Sequence, residues 1–166
     1  MTGKTISNKV ERSGIIPVNL QDYEPEIKSI FFDIKEGLYM GLMLKEKEFK
    51  AFLAEVNWEK YRNMPVAIGC STDAIIPSWA YMSIAEKLCG IATQIDYTSP
   101  GQLDLRLWKE RIETTDFNHL EGQKVVVRQN QNIEPQLYLA ITNKLKPLVK
   151  TLMYGEVGLP KVIYKK

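Results

Sequence analysis

The sequence predicts an α/β protein whose internally duplicated halves each read strand, helix, strand, helix, strand, with a mixed or parallel sheet flanked by helices. Three observations carry that expectation. Short apolar runs of strand length alternate with longer stretches whose apolar residues recur every three or four positions. Alternation of this kind favours sheets joined by crossover helices. The run Pro65-Val66-Ala67-Ile68-Gly69-Cys70 is apolar without alternation, as strands covered on both faces are. A shift of 57 positions lays residues 81–97 over residues 138–154 without gaps, with five of the seventeen positions identical.

The elements follow in order. Residues 1–14 are polar and are expected to be a flexible start. Ile15, Ile16, Val18 and Leu20 suggest a short extended segment that Pro17 interrupts, and hence an edge or a loop. Ile30-Phe31-Phe32 and residues 38–44 read as strands around the turn signal Lys35-Glu36-Gly37. Phe49, Phe52, Leu53 and Val56 share one helical face, and charged residues fill the rest. After the run at 65–70, Pro77 suits a first helical turn, because its missing N–H has no intrahelical partner there. Tyr81, Ile84, Ala85 and Leu88 form the next stripe, and Gly90 ends it. Residues 93–97 resemble a strand and Ser99-Pro100-Gly101 a turn. Leu105, Trp108 and Ile112 mark a helix, Val125-Val126-Val127 a strand, and Pro135 a helix start. Tyr138, Ile141 and Leu145 form its stripe, and residues 149–154 a closing strand.

With 166 residues, the chain is expected to form a single α/β domain over 15–166, with related halves at about 29–97 and 98–155 and a C-terminal tail. Its 45 % hydrophobic and 25 % charged residues are ordinary for a globular protein. The net charge of +2 leaves no electrostatic footprint for nucleic acid or an acidic membrane. No apolar run approaches the ~20 residues of a membrane helix. Two cysteines and one histidine exclude a disulfide scaffold and tell against a self-contained zinc site, leaving a carboxylate-rich or inter-subunit site open; no metal is expected, and the cofactor is none or unknown. No secretory signal is visible at the start, and a cytoplasmic setting with free thiols is the expectation. None of the dinucleotide, phosphate-loop, CxxC or HExxH patterns occurs.

One loop stands out. Upstream of residue 81 the halves align at a shift of 59 rather than 57, so the first half carries two extra residues between its central strand and second helix. That loop begins Gly69-Cys70-Ser71-Thr72-Asp73 and runs through Pro77 to Trp79. In open α/β sheets ligands bind beyond the carboxyl ends of strands, where helix N-termini offer N–H groups. Cys70 there is either a core-filling small hydrophobe or a thiolate nucleophile. Asp73 is a turn or capping residue or a general base. Ser71, Pro77, Trp79 and Tyr81 are the candidate ligand-binding residues around them. Cys89 and His119 have no assigned role.

The residues Cys70-Ser71-x-Asp73-Ala74-Ile75-x-Pro77-x-Trp79-Ala80-Tyr81-Met82 resemble the central motif of a bacterial family, domain of unknown function number 2480. Leu44-Lys45-Glu46-Lys47-x-Phe49, Met153-Tyr154-Gly155-Glu156 and the ending Tyr164-Lys165-Lys166 resemble it too. The resemblance covers nearly the whole chain. It implies an accessory role connected with iron–sulfur cluster assembly, whose proteins would be the partners. Relatives carry a second Cys-Ser at the matching strand end, where this chain has Gln129-Asn130, which tells against a two-thiol scheme. The leading expectation is therefore a cytosolic accessory protein that acts by binding and is not an enzyme. An enzyme or sulfur acceptor using Cys70 is the first alternative, and a structural homodimerisation module the second.

Overall fold

A computed structural model describes residues 13–166, so the flexible start expected for 1–14 lies outside the described residues as far as residue 12. In chain order the strands and helices are β1 (Ile15–Val18), β2 (Ile30–Asp33), α1 (Glu46–Glu55), β3 (Pro65–Gly69), α2 (Ser78–Leu88), β4 (Gln94–Tyr97), α3 (Pro100–Thr114), β5 (Lys124–Val127), α4 (Pro135–Leu145), β6 (Thr151–Tyr154) and β7 (Lys161–Lys165). The chain divides into two compact units. A continuous unit spans Pro25–Leu107, and a split unit joins the residues up to Glu24 to Trp108–Lys166.

The continuous unit holds a parallel sheet in the order β2-β3-β4, with Ile30 opposite Val66 and Val66 opposite Ile95. Its central strand β3 is buried at every position. Phe49 and Leu53 of α1, one turn apart, pack with Ala80, Ile84 and Leu88 of α2 in the core around Val66 and Ile68. Glu46 and Glu48 sit in the first turn of α1, where the helix dipole favours negative charge. Past α2, Gly90 takes φ +73°, the left-handed conformation that closes a helix at low cost in glycine.

The split unit builds a mixed sheet, β1-β5-β6-β7, whose first three strands are parallel and whose β7 is antiparallel to β6. Pro17 lies on the edge strand β1, the first of the two expected settings, and not in a loop. Leu137, Ile141 and Leu145 of α4 are buried, together with Ile112, Phe117 and Val125-Val126-Val127. Trp108 Nε1 donates to the Leu20 carbonyl at 2.9 Å, which holds the N-terminal segment to its unit.

Matched turns bracket both units. At the end of β1 and of β2, Asn19 and Asp33 accept the N–H two residues on and start a 3-10 turn. Asn57 and Asp116 do the same ahead of the turns that lead into β3 and β5. Side chains of this length close such turns on their own backbone.

Three local expectations need correction. Residues 38–44 form no strand. Met40 (φ 53°) and Gly41 (φ 68°) are both left-handed, and a lone bridge joins Tyr39 to Met43, so the segment reverses before a ladder can form. Ser99-Pro100-Gly101 is the start of α3 and not a turn, because the Ser99 hydroxyl accepts the Gln102 N–H and Pro100 occupies the first helical position. The strand at 151–154 does not close the fold, since β7 follows it within what reads as a tail.

Gly37 passes so close to α1 that an added Cβ would lie 2.5 Å from Phe52 Cδ1 and 2.8 Å from the buried Phe49 ring. Gly37→Ala should therefore destabilise the continuous unit by about 1–3 kcal/mol, read as a lower urea midpoint. An unchanged midpoint would show that the rings yield freely.

Candidate functional site

Parallel strands gather their carboxyl ends on one edge of a sheet, and each unit has one such edge. In the continuous unit that edge holds the end of β2 at Asp33, the loop after β3, the start of α2 and Tyr97 at the end of β4.

The loop after β3 is fastened to the end of β2. Asp33 Oδ1 accepts the Ser71 N–H at 3.0 Å and the Lys35 N–H at 3.0 Å, and the Ser71 side chain also favours the ionised carboxylate. Burial pushes the Asp33 carboxyl up. The Ser71 hydrogen bonds, the Lys35 N–H and the Lys35 charge outweigh it and leave the group below its ordinary 3.8. Cys70 is half-buried against the core, with its Sγ 3.4 Å from Thr72 Oγ1. Tyr81, on the first turns of α2, meets Tyr97 edge-on at 5.3 Å and 71°. Burial raises the Tyr81 phenol, and Tyr97 and Cys70 raise it further.

The residues singled out from sequence do not form one cluster. Cys70 and Tyr81 are neighbours at the strand end. Trp79, two positions before Tyr81, turns the other way, because residues two apart on a helix face different sides. It packs edge-on against Phe49 at 5.9 Å and lines a groove of about 560 Å³ with Lys50, Leu53, Met82 and Glu86. Ser71 is spent on Asp33, Pro77 is the half-buried residue that caps α2, and Asp73 is exposed. Cys89 is exposed at the end of α2, and His119 is exposed in the turn before β5. Among the described residues no three His, Cys, Asp or Glu side chains come together as a metal site requires.

The matching edge of the split unit is built differently. Tyr138 and Tyr154, the residues that align with Tyr81 and Tyr97, meet edge-on at 5.5 Å and 77°. Tyr138 is tied into the loop after β5: its Oη accepts the Asn130 N–H at 3.0 Å and donates towards the Arg128 and Asn130 carbonyls. Beside this pair opens a cavity of about 540 Å³. Buried Val127, Ile133, Ile141 and Leu152 form its floor, and exposed Leu139 and Ile163 stand at its mouth. Ile163 is the extra residue of a bulge in β7, since Tyr164 lies opposite Leu152 and Val162 opposite Met153. Bulges re-aim side chains, and this one contributes Ile163 to the cavity.

Sequence reasoning missed this cavity. Two local signals point to it: Leu139 lies off the Leu137–Ile141–Leu145 stripe of its helix, and Val162 and Ile163 are apolar within a lysine-flanked tail.

Two outcomes follow for the polar edge. With the folded Asp33 carboxyl below 3.8, the stability it contributes is present above that pH and is lost as pH falls through the lower folded value. Asp33→Asn should lower stability at neutral pH and flatten the acid limb of a urea-midpoint profile; an unaltered acid limb would disprove the linkage. Cys89 is exposed and Cys70 half-buried, so iodoacetamide at neutral pH should label Cys89 first. Faster labelling of Cys70 would reveal an activated thiolate and revive the Cys70 alternative.

A family model described as "Protein of unknown function (DUF2480)" matches residues 4–166. No curated protein and no solved structure matches the chain.

Proposed function

The chain belongs to this family of unknown function, and on that premise we propose that it is an accessory protein that acts by binding, taking an apolar group at the carboxyl edge of its split unit. The observation that carries this reading is the cavity of about 540 Å³ between β5, β6, β7 and the first turns of α4. Its size lies in the range of small-molecule sites, about 300–1,000 Å³, and its position is where ligands settle in parallel sheets. Leu139, 67 % exposed, and Ile163, 54 % exposed, leave apolar surface at the mouth for an apolar ligand to cover.

The wider reading puts this binding in a bacterial cytoplasm, in a homodimer, with iron–sulfur assembly proteins as partners. Its support is the family resemblance, with two free cysteines consistent with a reducing compartment. No helix among the described residues is long and apolar enough to cross a membrane. The same proposal holds that the related halves, about 29–97 and 98–155, arose by duplication. Its support is the two edge-on tyrosine pairs, Tyr81–Tyr97 and Tyr138–Tyr154, and the matched turns ahead of β3 and β5.

Titration with Nile red, an uncharged apolar dye, tests the binding. The native protein should give saturable fluorescence with one site per chain. Leu139→Asp changes an exposed residue and should leave the circular dichroism spectrum and urea midpoint intact while weakening dye binding about tenfold or more. Absence of saturable binding, or a variant that binds as well as the parent, would defeat the proposal.

A further inference from the structure

The lining of the cavity is unusual in what its polar groups can still do. Of the residues around it, none is Asp, Glu, Lys, Arg or His. Two of its hydroxyls are already committed to the protein. Tyr138 Oη donates to backbone carbonyls of the loop after β5, and Thr142 Oγ1 donates to the Tyr138 carbonyl at 2.7 Å. The side chains left to meet a ligand are the Asn130 and Gln131 amides and the Tyr154 phenol. Asn130 Oδ1 accepts the Asn132 N–H at 2.9 Å, which orients its amide and leaves the NH₂ end as donor.

A carboxylate or phosphate entering this space would lose water without gaining a cation, and a buried unpaired charge is heavily penalised. A hydrocarbon with no polar group would leave the amide donors unpaired where it covers them. An uncharged acceptor satisfies both constraints. Resting on the binding reading above, we propose that the cavity selects neutral, carbonyl-bearing apolar small molecules, such as esters or ketones, and rejects their acid counterparts. Selectivity then comes from the absence of a cation in the lining and from amide donors at Asn130 and Gln131. The apolar floor of Val127, Ile141 and Leu152 supplies affinity common to both classes.

Displacement of Nile red by methyl octanoate and by octanoate at neutral pH tests the selectivity, because the two share an acyl chain and differ in charge. The ester should displace the dye at a concentration about tenfold or more below that of the carboxylate, a difference of about 1.4 kcal/mol or more. Gln131→Arg, at an exposed position, supplies the missing cation and should narrow that gap by strengthening octanoate binding. Asn130→Asp keeps the acceptor for Asn132 while removing the donor, and should weaken the ester about tenfold. Circular dichroism spectra matching the parent confirm that both variants are folded. Saturable dye binding with octanoate equal to or better than the ester overturns the ligand class while leaving the cavity reading intact. Failure of Nile red itself to bind overturns both.

Discussion

Each unit depends on one strand that is buried and has a parallel neighbour on either side: β3 between β2 and β4, and β5 between β1 and β6. A parallel neighbour cannot be reached by a tight turn, so the chain must cross over between strands, usually through a helix. That requirement explains why α1 and α2 intervene in the continuous unit and α4 in the split one. It also fixes where chemistry can occur, because parallel strands deliver their carboxyl ends to one edge. Only residues just past those ends, and the first turns of the following helix, stand free of the ladder and beside N–H groups that no helix uses.

The connection that completes the split unit is the least local in the chain. Its first strand comes from residues 15–18, and the whole continuous unit intervenes before its partner β5 begins at Lys124. The strand-helix-strand-helix-strand order in the second half is thus completed by an N-terminal segment. The fastening is specific. Val18 is buried, the Arg128 N–H donates to the Val18 carbonyl at 2.9 Å, and Trp108 Nε1 reaches the Leu20 carbonyl. Contacts so far apart in sequence must repay the entropy of closing the long loop between them.

Physical locality decides what the sequence makes legible. The strands β3 and β5 are readable because burial on both faces leaves a continuous apolar run. The helices are readable because burial on one face leaves a stripe, as in Ile141 and Leu145. Pairing of β1 with β5 leaves no local trace, since Ile15 and Ile16 look the same beside any neighbour. The apparent strand at 38–44 fails because its apolar run does not reveal that Met40 will adopt φ 53°. Cys70 and Tyr81 are found because one ends a strand run and the other begins a helix. The cavity is hidden because β5, β6, β7 and α4 each contribute part of its wall, and a space between elements belongs to no segment.

The two edges share an arrangement of tyrosines and differ in what surrounds it. Both carry a tyrosine on the first turns of the second helix, edge-on to a tyrosine that ends the next strand. In the continuous unit the loop is longer by two residues and is drawn towards β2 by the Asp33–Ser71 bonds, which leaves a half-buried thiol beside the tyrosines. In the split unit the loop is shorter, and Asn130 stands where the longer loop has Ser71. Its tyrosine hydroxyl is turned onto the loop's own backbone and is removed from the list of groups a ligand could engage. The added strand β7 then brings a bulged Ile163 to an edge the continuous unit leaves without an antiparallel neighbour. A hydroxyl satisfied internally, no charge in the lining and an extra apolar side chain all act in one direction. They make the split unit's edge a place where apolar surface can be removed from water at little polar cost, which is the physical condition for binding a neutral ligand.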